Sequence, residues 1–343
     1  MKTTIYQAED LLKPNTIKHL KEVIQTGGLV VFPTETVYGI GANAYNPDAA
    51  HKIYQVKGRP QDNPLIVHID HLHQLNELAQ AISQDAHRLI QAFWPGPLTL
   101  IFDKTDKVPD TITSHLNTVA VRMPSNPIAQ MFIHATETPI CAPSANISGK
   151  PSSTLFEHVK MDLYNKVDII IDGGKSTIGL ESTVLDMTTP TPTILRPGSI
   201  TKAMIENILQ KPIDDLSEMI HESPKSPGMK YTHYKPQGDI ILIDGAIENV
   251  IKYLNKQLKK NNNDDIAVIC AHEVSEQIHA KQVFDLGALN DTETIASNLF
   301  IALRAMDDMN IKTIYIHTFS KDHLGSAIMN RLLKAAGYRI LSV

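Results

Sequence analysis

Hydroxyl, amide and cationic residues recur where apolar stretches of this chain begin or end. Thr34 and Thr36 follow Leu29–Phe32, while Lys57, Arg59, Asn63 and His68 surround the apolar run Leu65–Ile69. Arg122 sits inside Val119–Met123, Ser144 and Asn146 follow Ile140–Ala142, and Glu181, Ser182 and Thr183 open an apolar run that precedes Arg196. Ligands of open sheets gather at strand ends, so clusters far apart in sequence can converge there. Each cluster alone is compatible with caps, turns or surface charge. Together they offer cations, hydroxyls and an amide, without a nucleophile and base pair. That inventory suits binding a polyanion and positioning a small polar molecule beside it. Arg122, flanked by apolar residues, requires an anionic partner.

Motifs for other chemistries fail on spacing. Gly174-Lys175-Ser176 follows an apolar run as the end of a phosphate loop does. The first glycine of G-x-x-x-x-G-K-[ST] would fall at Ile169, however, and the following TIGLESTVLDM reads as a strand where a helix should start. Gly39-Ile40-Gly41 lacks the third glycine of a dinucleotide fingerprint. His272-Glu273 has no second histidine at zincin spacing, and His71-x-His73 reads as a solvated pair. No G-x-S-x-G elbow is present.

The elements that must position these residues follow from periodicity. Asn15 is expected to cap a helix through Gln25, with Ile17, Leu20, Val23 and Ile24 on one face and Gly27 as its stop. Asn46-Pro47-Asp48 reads as N-cap, first-turn proline and first-turn acid of a helix ending near Gly58. Ser83 caps a helix through Phe93, and Trp94-Pro95-Gly96-Pro97 breaks the chain before a strand over Leu98–Phe102. Helices at 128–135, 155–163 and 202–209 alternate with strands at 169–171, 183–186 and 193–195. From Lys211 to Gly238 the periodicity fails in a stretch dense in Pro, Gly and Ser, which reads as a linker. Beyond it, strands at 240–243, 266–270, 283–286 and 313–318 alternate with helices at 247–259, 292–309 and 327–336. That alternation implies a small parallel sheet with helices on its faces.

A chain of 343 residues is long enough for two domains, each with its own core. Hydrophobic content of 42% and charged content of 20% are ordinary for a globular protein, and no apolar run approaches the ~20 residues of a membrane span. The N-terminal MKTTIYQAEDLLK has no apolar signal core, so a cytoplasmic protein is expected. Cys141 and Cys270 both lie in apolar strands and read as buried thiols, which excludes a CxxC metal site. A net charge of −5 argues against nonspecific coating of nucleic acid but leaves room for a basic pocket.

At these residues the chain resembles the Sua5/YrdC family, the L-threonylcarbamoyladenylate synthases. PTETVYGIGANA, KGRPQDNPL, PSANISGKPSST, ESTVLDM and ILRPGSI stand in family order, with the K-x-R pair Lys57/Arg59 and the S-x-N pair Ser144/Asn146. The YrdC-like part covers roughly Pro14 to Leu209, and SPGMKYTHYKP (226–236) resembles the linker signature of the longer, two-domain Sua5 branch. The resemblance implies an α/β protein: a YrdC-like open twisted mixed sheet with helices over residues 1–210, a linker or lid over 211–238, and a small Rossmann-like parallel α/β domain over 239–343. The implied reaction is a nucleotidyl transfer. ATP, L-threonine and bicarbonate or CO2 give threonylcarbamoyl-AMP and pyrophosphate, the first step of tRNA N6-threonylcarbamoyladenosine synthesis.

By the same resemblance, Lys57 and Arg59 carry the catalytic charge, and Thr36, His68, Arg122 and Ser182 surround L-threonine, with Arg122 on its carboxylate. Lys57, Arg59, Asn63, Ser144, Asn146, Ser152 and Arg196 would hold ATP. Tyr231, His233 and Tyr234 suggest a lid over the nucleotide, Tyr231 and His233 being placed at ATP itself. His68 is a candidate to assist loss of the amine's proton. Mg2+ is expected on the ATP phosphates without protein ligands. The expected partners are the substrates and the downstream tRNA-modifying transferase proteins, with tRNA engaged only indirectly and no membrane. A non-enzymatic RNA-binding module is the competing class, but 6% aromatic content gives few stacking platforms for one. Carbamoyl transfer of the hydrogenase-maturation type would need an acylphosphatase segment and cysteine-rich zinc fingers, and the sequence contains neither.

Overall fold

A computed structural model of the chain describes residues 2–217, 234–260 and 263–343, and these divide into two compact units. Described residues up to 217, apart from 149–151 and 178–180, form the first; those two short segments and residues 234–343 form the second.

The first unit is built on a mixed sheet of eleven strands: β1 (Thr4–Gln7), β2 (Val30–Phe32), β3 (Gly39–Asn43), β4 (Ile66–His68), β5 (Leu98–Asp103), β6 (Thr118–Arg122), β7 (Ile140–Ala142), β8 (Ile169–Asp172), β9 (Thr183–Asp186), β10 (Thr193–Arg196) and β11 (Asp214–Asp215). Their order is β1-β8-β2-β3-β7-β4-β6-β5-β9-β10-β11. β4 and β6 run parallel, as do β5 and β9, while β7 with β4 and β6 with β5 are antiparallel. The mixed sheet agrees with the fold expected from the sequence.

Strand periodicity assigns each face. Val31, Ile40, Val67, Leu98, Leu100, Val121, Cys141 and Leu185 point to one side. There they pack against Ala50, Ile53 and Tyr54 of helix Pro47–Lys57, Leu89 and Ile90 of helix Gln84–Phe93, and Ile205 and Leu209 of helix Lys202–Leu209. On the opposite face, Val30, Phe32, Ile140, Ala142, Ile169 and Ile171 are covered by helices Pro14–Gln25 and Pro127–Thr136. The rest of that face holds a small cluster, Ile66, Ile101, Ala120, Val184 and Leu195, which no helix residue joins. The site is built on this part of the sheet.

Two local features deliver its cations. Asn46 accepts hydrogen bonds from the Asp48 and Ala49 amides, and Pro47 takes the first helical position. Gly58 in the left-handed conformation (φ 61°) ends the helix immediately after Lys57. The helix expected to be capped by Asn15 instead starts at Pro14 with Lys13 before it. The fixed φ of proline suits the first helical position, and Asn15 falls inside the first turn.

The second unit holds an all-parallel sheet of β12 (Asp239–Asp244), β13 (Ile266–Cys270), β14 (Gln282–Asp285), β15 (Thr313–His317) and β16 (Ile340–Ser342), in the order β14-β13-β15-β12-β16. Helices Ile247–Lys260, Thr292–Asp308 and Gly325–Ala335 make its principal crossovers. Parallel strands alternating with helices are what the sequence pattern required. β11 and the Leu216 amide, which bonds the Ile194 carbonyl, carry the first unit's sheet past residue 211, into the stretch that composition marks as linker. Among the described residues no helix is long and apolar enough to cross a membrane.

Candidate functional site

Strand register places the polar residues in one line. Ile140 lies opposite His68, His68 beside Arg122, Arg122 opposite Thr99, Thr99 beside Val184 and Val184 opposite Arg196. Side chains in such a row leave the sheet on the same side. Arg196 joins it only because β10 is bulged: Ile194 pairs with Leu185, yet Arg196 pairs with Val184. Without the extra residue, Arg196 would share the face of Ile194, buried in the helix-covered core.

Arg122 is the centre of the row, with 3% of its surface exposed. Its Nη1 donates to Thr36 Oγ1 at 2.8 Å and its Nε to the Gly96 carbonyl at 3.3 Å. Thr36 in turn is hydrogen-bonded to Thr34 at 2.9 Å. The anionic partner demanded by a buried arginine is Glu35, whose Oε1 lies 2.6 Å from Arg122 Nη2 and accepts the Ser125 amide at 3.1 Å. Burial alone would raise the Glu35 pKa, but the charge of Arg122, with the Ser125 amide, outweighs it and holds the carboxyl below its ordinary value. The pair is close without being saturated. Glu35 Oε2 is buried without a hydrogen-bond partner, and Arg122 Nη2 has no aligned acceptor. Glu35 was not among the residues singled out from sequence; its only signal there is an acid between two threonines.

His68 is buried edge-on against Phe32 and hydrogen-bonded through Nδ1 to the Ile66 carbonyl at 3.2 Å. Burial, reinforced by the positive charge of Arg122, lowers its pKa to about 3. An imidazole this weakly basic is neutral at pH 7 and poorly matched to taking a proton from an amine. The role of amine base considered for His68 therefore does not fit its surroundings; that of a neutral polar wall does. Ser182 shares a hydrogen bond of 2.7 Å with Thr99. Arg196 donates from Nη2 to the Ser182 hydroxyl at 3.2 Å and from Nε to its carbonyl at 3.1 Å. Thr36, His68, Arg122, Ser182 and Arg196 thus come together, and Thr99, not anticipated from sequence, is the residue between them.

The second cluster centres on Lys57, 1% exposed, whose ammonium donates to the carbonyls of Ser144 and Asn146. The Ser144 hydroxyl bonds Asn146 Oδ1, and the Ser148 amide returns to the Lys57 carbonyl. Lys57 therefore braces the 144–148 turn. That turn is laced to the first strand pair, because Ala145 N bonds Tyr38 O at 2.7 Å and Tyr38 N bonds Ser153 O at 2.9 Å. Arg59 bonds the carbonyls of Asn63 and Pro64 at 3.2–3.3 Å, and the Asn63 side-chain oxygen is buried without a partner. Ser152 donates to Glu181 Oε1 at 2.5 Å, joining the turn after β7 to the segment before β9. Tyr231 and His233, the expected lid residues, lie outside the described residues.

An open sheet face with a buried, ion-paired arginine and a separate lysine-braced turn form the polar centre of this α/β unit. The family described as telomere recombination, Sua5/YciO/YrdC, matches residues 22–198, and the family of the threonylcarbamoyl-AMP synthase C-terminal domain matches residues 200–337. The chain is 43% identical to the threonylcarbamoyl-AMP synthase of Pyrococcus abyssi over 99% of its own length and all of that protein. To the synthase of Bacillus subtilis it is 44% identical, over 98% of this chain and 94% of the other. The crystal structure of P. abyssi Sua5 complexed with L-threonine superposes with a TM-score of 0.91 at 42% identity, covering both chains in full. The chain belongs to the Sua5/YrdC family, in its two-domain form.

Proposed function

We propose that this chain is a threonylcarbamoyl-AMP synthase and that the sheet face described above is its active site. Similarity to synthases across the full length carries the reading, and the chemistry of the site supports it. The amine of L-threonine captures CO2 as a carbamate, losing a proton. A carbamate oxygen then attacks the α-phosphorus of ATP, the P–O bond to the β-phosphate breaks, and pyrophosphate leaves. Both reactants are anionic, so they meet only where fixed positive charge offsets their repulsion. Holding them aligned contributes on the order of 7 to 11 kcal/mol.

The row of Thr36, His68, Arg122 and Ser182 holds L-threonine, with its carboxylate on Arg122. The guanidinium has five N–H groups, and its contacts to Thr36, Gly96 and Glu35 leave donors for a ligand. Arg59, Asn63, Ser152 and Arg196 face the nucleotide, together with the turn of Ser144 and Asn146 that Lys57 braces; Tyr231 and His233, expected at the nucleotide, lie outside the described residues. Mg2+ would be carried by the ATP phosphates without protein ligands, and when bound would offset part of their charge. The donors gathered here are cations, hydroxyls and amides, suited to phosphate oxygens. The product is a labile mixed anhydride, which goes to tRNA-modifying transferase proteins in the cytoplasm.

Steady-state kinetics test the division of labour. Arg122→Ala should raise the KM for L-threonine with little change for ATP, and Arg59→Ala should do the reverse. Unchanged constants in both variants would overturn the assignment.

A further inference from the structure

Arg122 does not wait for an anion in this structure, because Glu35 has already neutralised it. Resting on the reading that Arg122 takes the carboxylate of L-threonine, we infer that Glu35 is a specificity-determining residue that makes the site demand the amino group of its substrate. Beside the proposed carboxylate position Arg122 and Glu35 offset each other and the His68 imidazole is neutral, while Arg196, further along the row at Ser182, is the cation assigned to the nucleotide.

A zwitterion adds no net charge to such a site, and its two ends are complementary to the pair. A carboxylate lacking the amine brings a negative charge that only a shared arginine answers, next to a carboxylate that repels it. A buried Arg122 facing no acid would favour any small carboxylate. The state of the pair's atoms points the same way. Glu35 Oε2 is a buried acceptor with no donor and Arg122 Nη2 a buried group with no aligned acceptor. Buried polar groups in native structures are rarely left so, and each unmet one calls for a partner. An α-ammonium and an α-carboxylate, one atom apart on the same carbon, supply one partner to each. The neighbouring threonines leave Glu35 as the acid of this cluster, since Thr34 and Thr36 carry only hydroxyls, bonded to each other, with Thr36 also accepting from Arg122.

The test is binding of L-threonine and of 3-hydroxybutyrate, its analogue without the amino group, to the full chain by calorimetry. The comparison covers the wild type, Glu35→Gln, Glu35→Asp and Arg122→Ala. The wild type should prefer L-threonine at least tenfold. Glu35→Gln should weaken L-threonine and strengthen 3-hydroxybutyrate, so that the preference falls at least tenfold. Glu35→Asp, which keeps the charge, should keep the preference even where affinity drops. A Glu35 that only supported the fold would weaken both ligands alike in Glu35→Gln, and that result overturns the inference while leaving the proposed function intact. Undiminished L-threonine binding by Arg122→Ala would overturn the inference together with the reading beneath it. If Glu35→Gln does not fold, loss of the preference in folded Glu35→Asp also overturns it.

Discussion

Replacing Lys57 by methionine should loosen the first unit as well as impair catalysis. The ammonium is buried and satisfies two backbone carbonyls, those of Ser144 and Asn146. Methionine fills a similar volume but donates nothing. The Asn146 carbonyl loses the lysine donor at about 1 to 3 kcal/mol, while the Ser144 carbonyl keeps the Asn146 amide at 3.1 Å and loses one of two bonds at about 0.5 to 1.5 kcal/mol. Relief of the desolvation that the buried ammonium itself suffers offsets part of this. The expected net loss is on the order of 1 to 3 kcal/mol. For a domain of this size that lowers Tm by roughly 2 to 12 °C, taking about 2 to 4 °C per kcal/mol. Calorimetric unfolding of the full chain measures it, with the transition of the first unit followed separately from that of the second. A Tm within about 1 °C of wild type, together with a raised KM for ATP, would refute the brace and leave Lys57 as a phosphate ligand alone.

His68 gives a pH signature. Its pKa is about 3 when folded against an ordinary 6.5, so below 6.5 the unfolded chain binds the extra proton. The stability associated with neutral His68 is complete above pH 6.5 and is lost as pH falls towards 3. Between pH 7 and pH 5 the loss is about 2 kcal/mol from this residue, and denaturant midpoints should show His68→Gln losing correspondingly less than wild type. Arg122→Lys keeps a charge but replaces a fork with a single ammonium, which cannot serve Thr36, Glu35 and Gly96 together. It should leave the chain folded while raising the KM for L-threonine roughly tenfold or more. Gly41→Ala would bring a Cβ to 2.6 Å from Ile140 Cγ2 and 2.9 Å from Phe32 Cε1, and should cost about 1 to 3 kcal/mol by urea unfolding.

Much of the site was legible because polar residues at the ends of apolar strands are costly and therefore informative. Arg122 announced itself as a cation among apolar neighbours, and Asn46-Pro47 and Gly58 marked the helix that delivers Lys57. Its partner did not announce itself. Glu35 and Arg122 are 87 positions apart in sequence, and only the placement of β6 beside β4 and the loop after β2 brings them within 2.6 Å. The bulge that turns Arg196 towards Ser182 is equally silent, since Thr193–Arg196 reads as a regular strand. β3 was missed because Gly39-Ile40-Gly41 has poor strand propensity. Glycine is needed at position 41 to admit Phe32 and Ile140, and packing rather than propensity forms the strand. β1 and β16 escaped notice for another reason: each is a short edge strand of its sheet, defined by pairing with β8 and β12. The buried role of Lys57 was hidden too, because a lysine at a helix end reads as solvated until the 144–148 turn is folded over it.

The central claim, that this sheet face joins L-threonine, CO2 and ATP, is tested most directly by isotope incorporation. The full chain is incubated with MgATP, L-threonine and 13C-bicarbonate, and the nucleotide products are examined by mass spectrometry. Threonylcarbamoyl-AMP one mass unit heavier than the unlabelled compound, formed with one pyrophosphate each and lowered in Arg122→Ala at sub-saturating L-threonine, is the predicted result. Pyrophosphate release without a 13C-labelled adenylate, or labelled product undiminished in Arg122→Ala, would contradict it.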